Sequence, residues 1–169
     1  QNKNIEDALS DLRKEIDEID SQLISLLGKR MQIVDQVGKL KENNSEKFFI
    51  RSNREADMIK NLVNRCDPRF PKSSIVGIWR KIIAAANMHE QKLEISIHNP
   101  NKIADYEHLI KDYYNHEMPI SSHDKALDII NNLEKEESQI GGFSLSEISD
   151  NSDDKWWINL AKSDSDIKI

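Results

Sequence analysis

One cysteine, Cys66, is the whole thiol content of this 169-residue chain. An internal disulfide framework is therefore excluded, and that usage suits a reducing cytoplasm. No apolar run approaches the length of a membrane span, and no signal-peptide pattern stands at the start. The first residue is Gln1, as in a chain that begins after a removed segment. Aromatic residues make up only 6%, and lysine and arginine do not gather with them into the interleaved patch of a nucleic-acid surface. His98, His108, His116 and His123 lack metal-ligand spacing and have no acidic or cysteine partner in register, so they read as surface or core residues. Cys66 lies near a helix end, before Asp67-Pro68, and carries no mark of a nucleophile. Asn43-Asn44-Ser45 reads as an accidental glycosylation pattern.

The net charge of -6 hides an asymmetry. Through Lys92 there are 17 Lys+Arg against 14 Asp+Glu; beyond it there are 7 against 16. Balances of +3 and -9 separate two chemically different domains, 1–91 and 92–169. In the first, apolar residues recur at helical spacing from Ile5 to about Lys41, through Leu9, Leu12, Ile16, Leu23, Leu26, Ile33 and Val37. Gly28 and Gly38 weaken that run without breaking it. A helix of roughly 50–55 Å results, too long for a small monomer to cover, which predicts a dimer. A second helix is expected over about 53–66, and a third from Ser73 or Ser74 as N-cap, with Ile75, Ile78, Trp79, Ile82, Ile83 and Ala86 inward. After Gln91 the period changes. Leu93, Ile95 and Ile97 alternate as a strand; 102–114 is helical; Pro119-Ile120 is a strand. A helix capped by Ser122 or Asp124 carries Ala126, Leu127, Ile130 and Leu133, and 139–143 is a third strand with a Gly-Gly turn. That βαβαβ order predicts a parallel sheet. Ile167-Lys168-Ile169 reads as a strand just begun, so the α/β unit reads as incomplete.

Three cations on the first helix stand out. Arg30 and Lys41 are eleven residues apart, about three turns and roughly 16 Å, on a face shared with Ile16, Leu23, Leu26, Ile33 and Val37. A cation on an apolar face is costly unless paired. Arg13 lies roughly 25 Å from Arg30 and a quarter-turn round, so it reaches the same ligand only from an antiparallel partner. The plainer reading is that all three snorkel to solvent or pair with Asp17, Asp20 or Glu55. The stretch RSNREADMIK poses the same choice. Ser52 and Glu55 form a capping box, but Arg54 opens the helix against its dipole.

The blocks Leu12-Arg13-Lys14-Glu15-Ile16-Asp17-Glu18-Ile19-Asp20, Leu26-Leu27-Gly28-Lys29-Arg30, Val37-Gly38-Lys39-Leu40-Lys41 and Arg54-Glu55 closely resemble the all-helical chorismate mutases, from about Leu9 to Gln91. The resemblance implies an intertwined helical homodimer that rearranges chorismate to prephenate, toward phenylalanine and tyrosine, with no nucleophile, metal or cofactor. It implies conformational restraint of the substrate and stabilisation of charge on its ether oxygen. By position, Arg30 and Arg13 of a second copy bind the two carboxylates. Lys41 donates to the ether oxygen, Arg54 is a further site cation, and Glu55 accepts from the ring hydroxyl. Three positions depart from the family: Arg51 stands where a small acidic residue is common, Ala86 where serine is, and Glu90 where glutamine is. Glu90 continues the inward face of Ile82 and Ala86. A carboxyl there donates to the ether oxygen only while protonated, which predicts a rate that falls from acidic toward neutral or alkaline pH.

Residues 92–169 resemble the front of a prephenate dehydratase-like domain, and the C-terminal extension of some bacterial chorismate mutases, down to Trp156-Trp157 after an acidic loop. The dehydratase Thr-Arg-Asp motif is missing, so no dehydratase activity is expected. The tryptophans read as packing anchors. The leading reading is thus a cytoplasmic, cofactor-free, metal-free chorismate mutase. The alternative is a catalytically weak regulatory or ligand-sensing dimer on the same scaffold. A plain coiled coil gives no reason for the cations and stands last.

Overall fold

The computed structural model describes residues 2–43, 50, 52–143, 155–162 and 167. The chain forms two compact units, Gln1–Phe49 and Ile50–Ile169. Among the described residues the first is a single helix, α1 (Asn2–Asn43). Its 42 residues span about 63 Å at the ordinary helical rise. The unbroken 3.6-residue period produces it, extending two or three residues past the expected ends. Its stripe is left open: Ile16, Leu23, Leu26 and Ile33 are all more than half exposed.

The second unit begins with a helical hairpin, α2 (Ser52–Arg65) and α3 (Lys72–Glu90). The turn between them follows from Asp67-Pro68. Asp67 accepts hydrogen bonds from the backbone and the guanidinium of Arg69, at 2.9 Å to its N and Nε and 2.6 Å to Nη2. Pro71 is the N-cap of α3, with no side-chain cap bond. Ser73 and Ser74 therefore lie inside the first turn instead of capping it, because the fixed φ of proline already sets the chain for helix entry. Ile83, Ala84 and Ala86 are buried, whereas Ile78 stays 43% exposed.

A three-stranded parallel sheet follows, in the order β2-β1-β3. Its strands are β1 (Ile95–His98), β2 (Ile120–His123) and β3 (Ile140–Gly142). Helix α4 (Ala104–Tyr113) joins β1 to β2, and α5 (Ala126–Glu134) joins β2 to β3. Ile95 pairs with Ile120 on one side and Ile140 on the other. All four positions of β1 are buried, not alternate ones, because a central parallel strand is covered on both faces. Ser96, buried by this, stands 3.1 Å from the Ser121 hydroxyl. Asn132 completes the network when its carboxamide oxygen faces Ser96 Oγ and His123 Nε2 and its amide donates to Glu137 and the Asp128 carbonyl.

Three local expectations change here. Ser122 belongs to β2, and Lys125 is the N-cap of α5 without a side-chain bond, so neither Ser122 nor Asp124 caps. Ile129 is fully buried and Leu127 half exposed. The inward face of α5 therefore runs Ala126, Ile129, Ile130. The glycine pair makes no turn. Gly141 and Gly142 lie within β3, and neither has a positive φ. A Cβ at Gly141 would come within 2.9 Å of Leu133 Cδ1 and 3.0 Å of Ile129 Cγ2. Gly141 is small so that α5 can sit close on the sheet, while a Cβ at Gly142 would meet Ile97 Cγ2 at 3.0 Å and, from α4, Ile110 Cδ1 at 3.6 Å. Trp156, at the start of α6 (Trp156–Lys162), stacks on Phe143 at 4.6 Å, and Trp157 meets it edge-on at 5.9 Å. The stack on Phe143 fits the anchor reading for Trp156, whereas Trp157 stays 45% exposed. The acidic loop before them, and Lys168 and Ile169, lie outside the described residues.

Candidate functional site

The seven predicted site residues divide between the two units. Arg13, Arg30 and Lys41 lie on α1, on one continuous helix. Arg13 is exposed, while Arg30 and Lys41 are half-buried. The Nη1 atom of Arg30 is enclosed and has no hydrogen-bond partner among the described residues. A guanidinium hydrogen enclosed without an acceptor is costly unless something supplies one.

Arg54, Glu55, Ala86 and Glu90 belong to the second unit. Glu55 is in the first turn of α2, where the exposed backbone donors and the helix dipole favour a carboxylate. The Ser52 side chain and Arg51 lie outside the described residues, so the capping box and the first family departure do too. Arg54 points into solvent. Glu55 is half-buried, and its Oε1 accepts a hydrogen bond from Asn87 Nδ2 at 3.1 Å. That bond ties the start of α2 to the end of α3, across 32 residues of sequence. Ala86 is buried beside Asn87; Glu90 is one turn further and half-buried.

Glu55 and Asn87 open on a cavity of 360 Å³. Its floor is apolar: Ile59 and Val63 from α2, Val76 and Ile83 from α3. On α3 the lining residues Arg80, Ile83, Ala84 and Asn87 follow the spacing i, i+3, i+4, i+7 of one helix face. Tyr113 and Tyr114, at the carboxyl end of α4, form another wall, and Lys60 of α2 also lines the cavity. Burial holds the Tyr114 phenol above the ordinary tyrosine range, with smaller contributions from Tyr113 and the negative charge of Glu55. Such a cavity falls within the size range of small-molecule sites, with an apolar floor and polar side chains from Glu55, Lys60, Arg80, Asn87 and the two tyrosines around it. Among the described residues no three His, Cys, Asp or Glu side chains gather as metal ligands. Among them, too, no helix is long and apolar enough to cross a membrane.

Asn87, Arg80, Tyr113 and Tyr114 escaped the sequence reading. The tyrosine pair had a weak signal, two adjacent aromatics in an aromatic-poor chain. Asn87 had none, since its role depends on a contact that helical spacing does not encode.

Comparison with known proteins adds an independent observation. Residues 12–91 match the family pattern described as chorismate mutase type II. A bifunctional chorismate mutase/prephenate dehydratase of Aquifex aeolicus (strain VF5) is 29% identical over 97 residues, which is 54% of this chain and 26% of that protein. The T-protein of Haemophilus influenzae (strain ATCC 51907 / DSM 11121 / KW20 / Rd) is 57% identical over 35 residues, 21% of this chain and 9% of that protein. The chain thus spans about a quarter, or less, of the curated relatives it matches. No solved structure gives a significant match.

Proposed function

We propose that this chain, whose residues 12–91 match the chorismate mutase type II pattern, catalyses the rearrangement of chorismate to prephenate as a cytoplasmic homodimer. One observation carries the reading: the matched segment contains all seven site residues, from Arg13 to Glu90. The reaction is unimolecular and pericyclic. One carbon–oxygen bond breaks as a carbon–carbon bond forms, so the protein has only to restrain the substrate and stabilise charge on the ether oxygen.

The roles are those that the family resemblance implies, position by position. Arg30, and Arg13 of a second copy, present guanidinium forks to the two carboxylates. The enclosed Nη1 of Arg30 is a donor suited to an anionic acceptor. Lys41 donates to the ether oxygen, and Glu90 donates to it while protonated. Arg54 adds positive charge, and Glu55, fixed by Asn87, accepts from the ring hydroxyl. Ala86 supplies only contact.

Loss of chorismate absorbance with formation of prephenate tests the proposal. Glu90→Gln, which donates at any pH, is expected to flatten a rate that otherwise falls from acidic toward neutral pH. A wild-type rate independent of pH removes Glu90 from the donor role. A folded dimer without turnover favours the ligand-sensing alternative.

A further inference from the structure

The cavity at Glu55 is not built by the helical hairpin alone. Two cations of α3 hold the end of α4 against it. Lys81 Nζ donates to the Lys111 carbonyl at 3.3 Å and the Asp112 carbonyl at 3.0 Å. These are last-turn carbonyls, the negative end of the helix, where a cation is favoured. One residue earlier, the Arg80 guanidinium lies 4.2 Å from the centre of the Tyr113 ring, within cation–π range. Tyr113 in turn meets Tyr114 edge-on at 4.8 Å. The contacts join segments about 30 residues apart and place the two phenols on the cavity wall that Glu55 and Asn87 also line. Hairpin and sheet fall in the same compact unit, Ile50–Ile169.

We propose that Tyr114, carried by the α/β segment, is a binding residue of the Glu55 cavity, recognising a compact cyclic hydroxy acid, and that Arg80 and Lys81 are the positioning residues that hold it there. The inference rests on the reading that Glu55 receives a ring hydroxyl. A phenol on the facing wall donates to, or accepts from, the same polar edge of the ligand, while Ile59, Val63 and Ile83 cover its apolar face. The appendage then has a role in substrate affinity that the hairpin residues do not supply.

The test uses the full chain and two readouts, steady-state kinetics with chorismate and calorimetric titration with prephenate. Tyr114→Phe is expected to raise KM, and to weaken prephenate binding, by about five- to tenfold, the weight of one hydrogen bond. kcat should stay within about twofold, as for an interaction made equally in ground and transition states. Lys81→Met should move KM in the same direction, and Lys81→Arg should restore it. A purely structural role would lower Tm and leave KM and prephenate affinity unchanged. Unchanged values in folded Tyr114→Phe and Lys81→Met proteins overturn the inference while leaving the mutase reading intact. Prephenate binding without turnover, still weakened by Tyr114→Phe, overturns the mutase reading and keeps the inference. A folded wild type that neither binds nor turns over overturns both.

Discussion

Glu55 is the carboxyl that lines the cavity of the second unit, and a neutral amide, Asn87, donates to it. Asn87 gives the carboxylate a donor without a competing charge, so Glu55 keeps its capacity to accept a second hydrogen bond from a ligand. Replacing Asn87 with alanine leaves the carboxylate free to rotate toward solvent. We expect kcat/KM to fall roughly tenfold, consistent with a hydrogen bond to a charged group, with little change in the thermal midpoint. An unchanged kcat/KM would show that Glu55 needs no such restraint. The tyrosines give a second readout. Tyr106 and Tyr114 are both held above the ordinary range, Tyr106 by burial and Tyr114 by burial together with Tyr113 and Glu55. A phenol raised in the folded state adds stability that is fully present below the unfolded value of about 10 and is lost as pH rises through the folded one. Alkaline titration followed by ultraviolet difference absorbance should therefore show two late-ionising tyrosines. Glu55→Gln should bring Tyr114 down and leave Tyr106 in place. If both stay unmoved, Glu55 is not close to Tyr114.

At the scale of elements, periodicity predicted the helices and strands because apolar residues recur along each at a helical or strand spacing. Its failures share a cause. The caps of α3 and α5 are set by Pro71 and by the extended backbone of Lys125, where the nearby serines and aspartate offered chemically better caps that the chain does not use. The Gly141-Gly142 pair reads locally as a turn. Only the close approach of Leu133, Ile129 and Ile97 shows that it is a strand made narrow for packing. Gly141→Ala tests this directly. Its Cβ would meet Leu133 Cδ1 at 2.9 Å, a clash with side-chain methyls that overpacks the α5–sheet contact. A loss of about 1–3 kcal/mol in chemical denaturation is expected. A stabilised or neutral variant would mean that α5 has room to move and that the tight packing is not needed.

For the whole molecule, the family blocks suggested Arg13, Arg30, Lys41, Arg54 and Glu55 as site residues, Ala86 and Glu90 entered as departures from the family, and the apolar stripe of α1 suggested a partner. The sharing of the Glu55 cavity with α4 was not legible. The boundary drawn by charge at Lys92 follows composition, while the contacts of Lys81 and Arg80 cross it. Side chains of the size of Leu23, Leu26 and Ile33, left more than half exposed along α1, make a surface that a soluble monomer seldom keeps. A dimer in sedimentation equilibrium is expected, with Leu26→Glu shifting it toward monomer at micromolar concentration. A monomeric wild type would remove Arg13 of a second copy from the site.

The most direct test of the account is the loss of chorismate absorbance in the full chain beside Arg30→Ala, followed from acidic to neutral pH. Turnover is expected in the wild type, rising toward acid, and is expected to fall at least a hundredfold in the variant, about 2.7 kcal/mol of lost transition-state stabilisation. Equal rates in the two folded proteins, or no turnover in either, would contradict it.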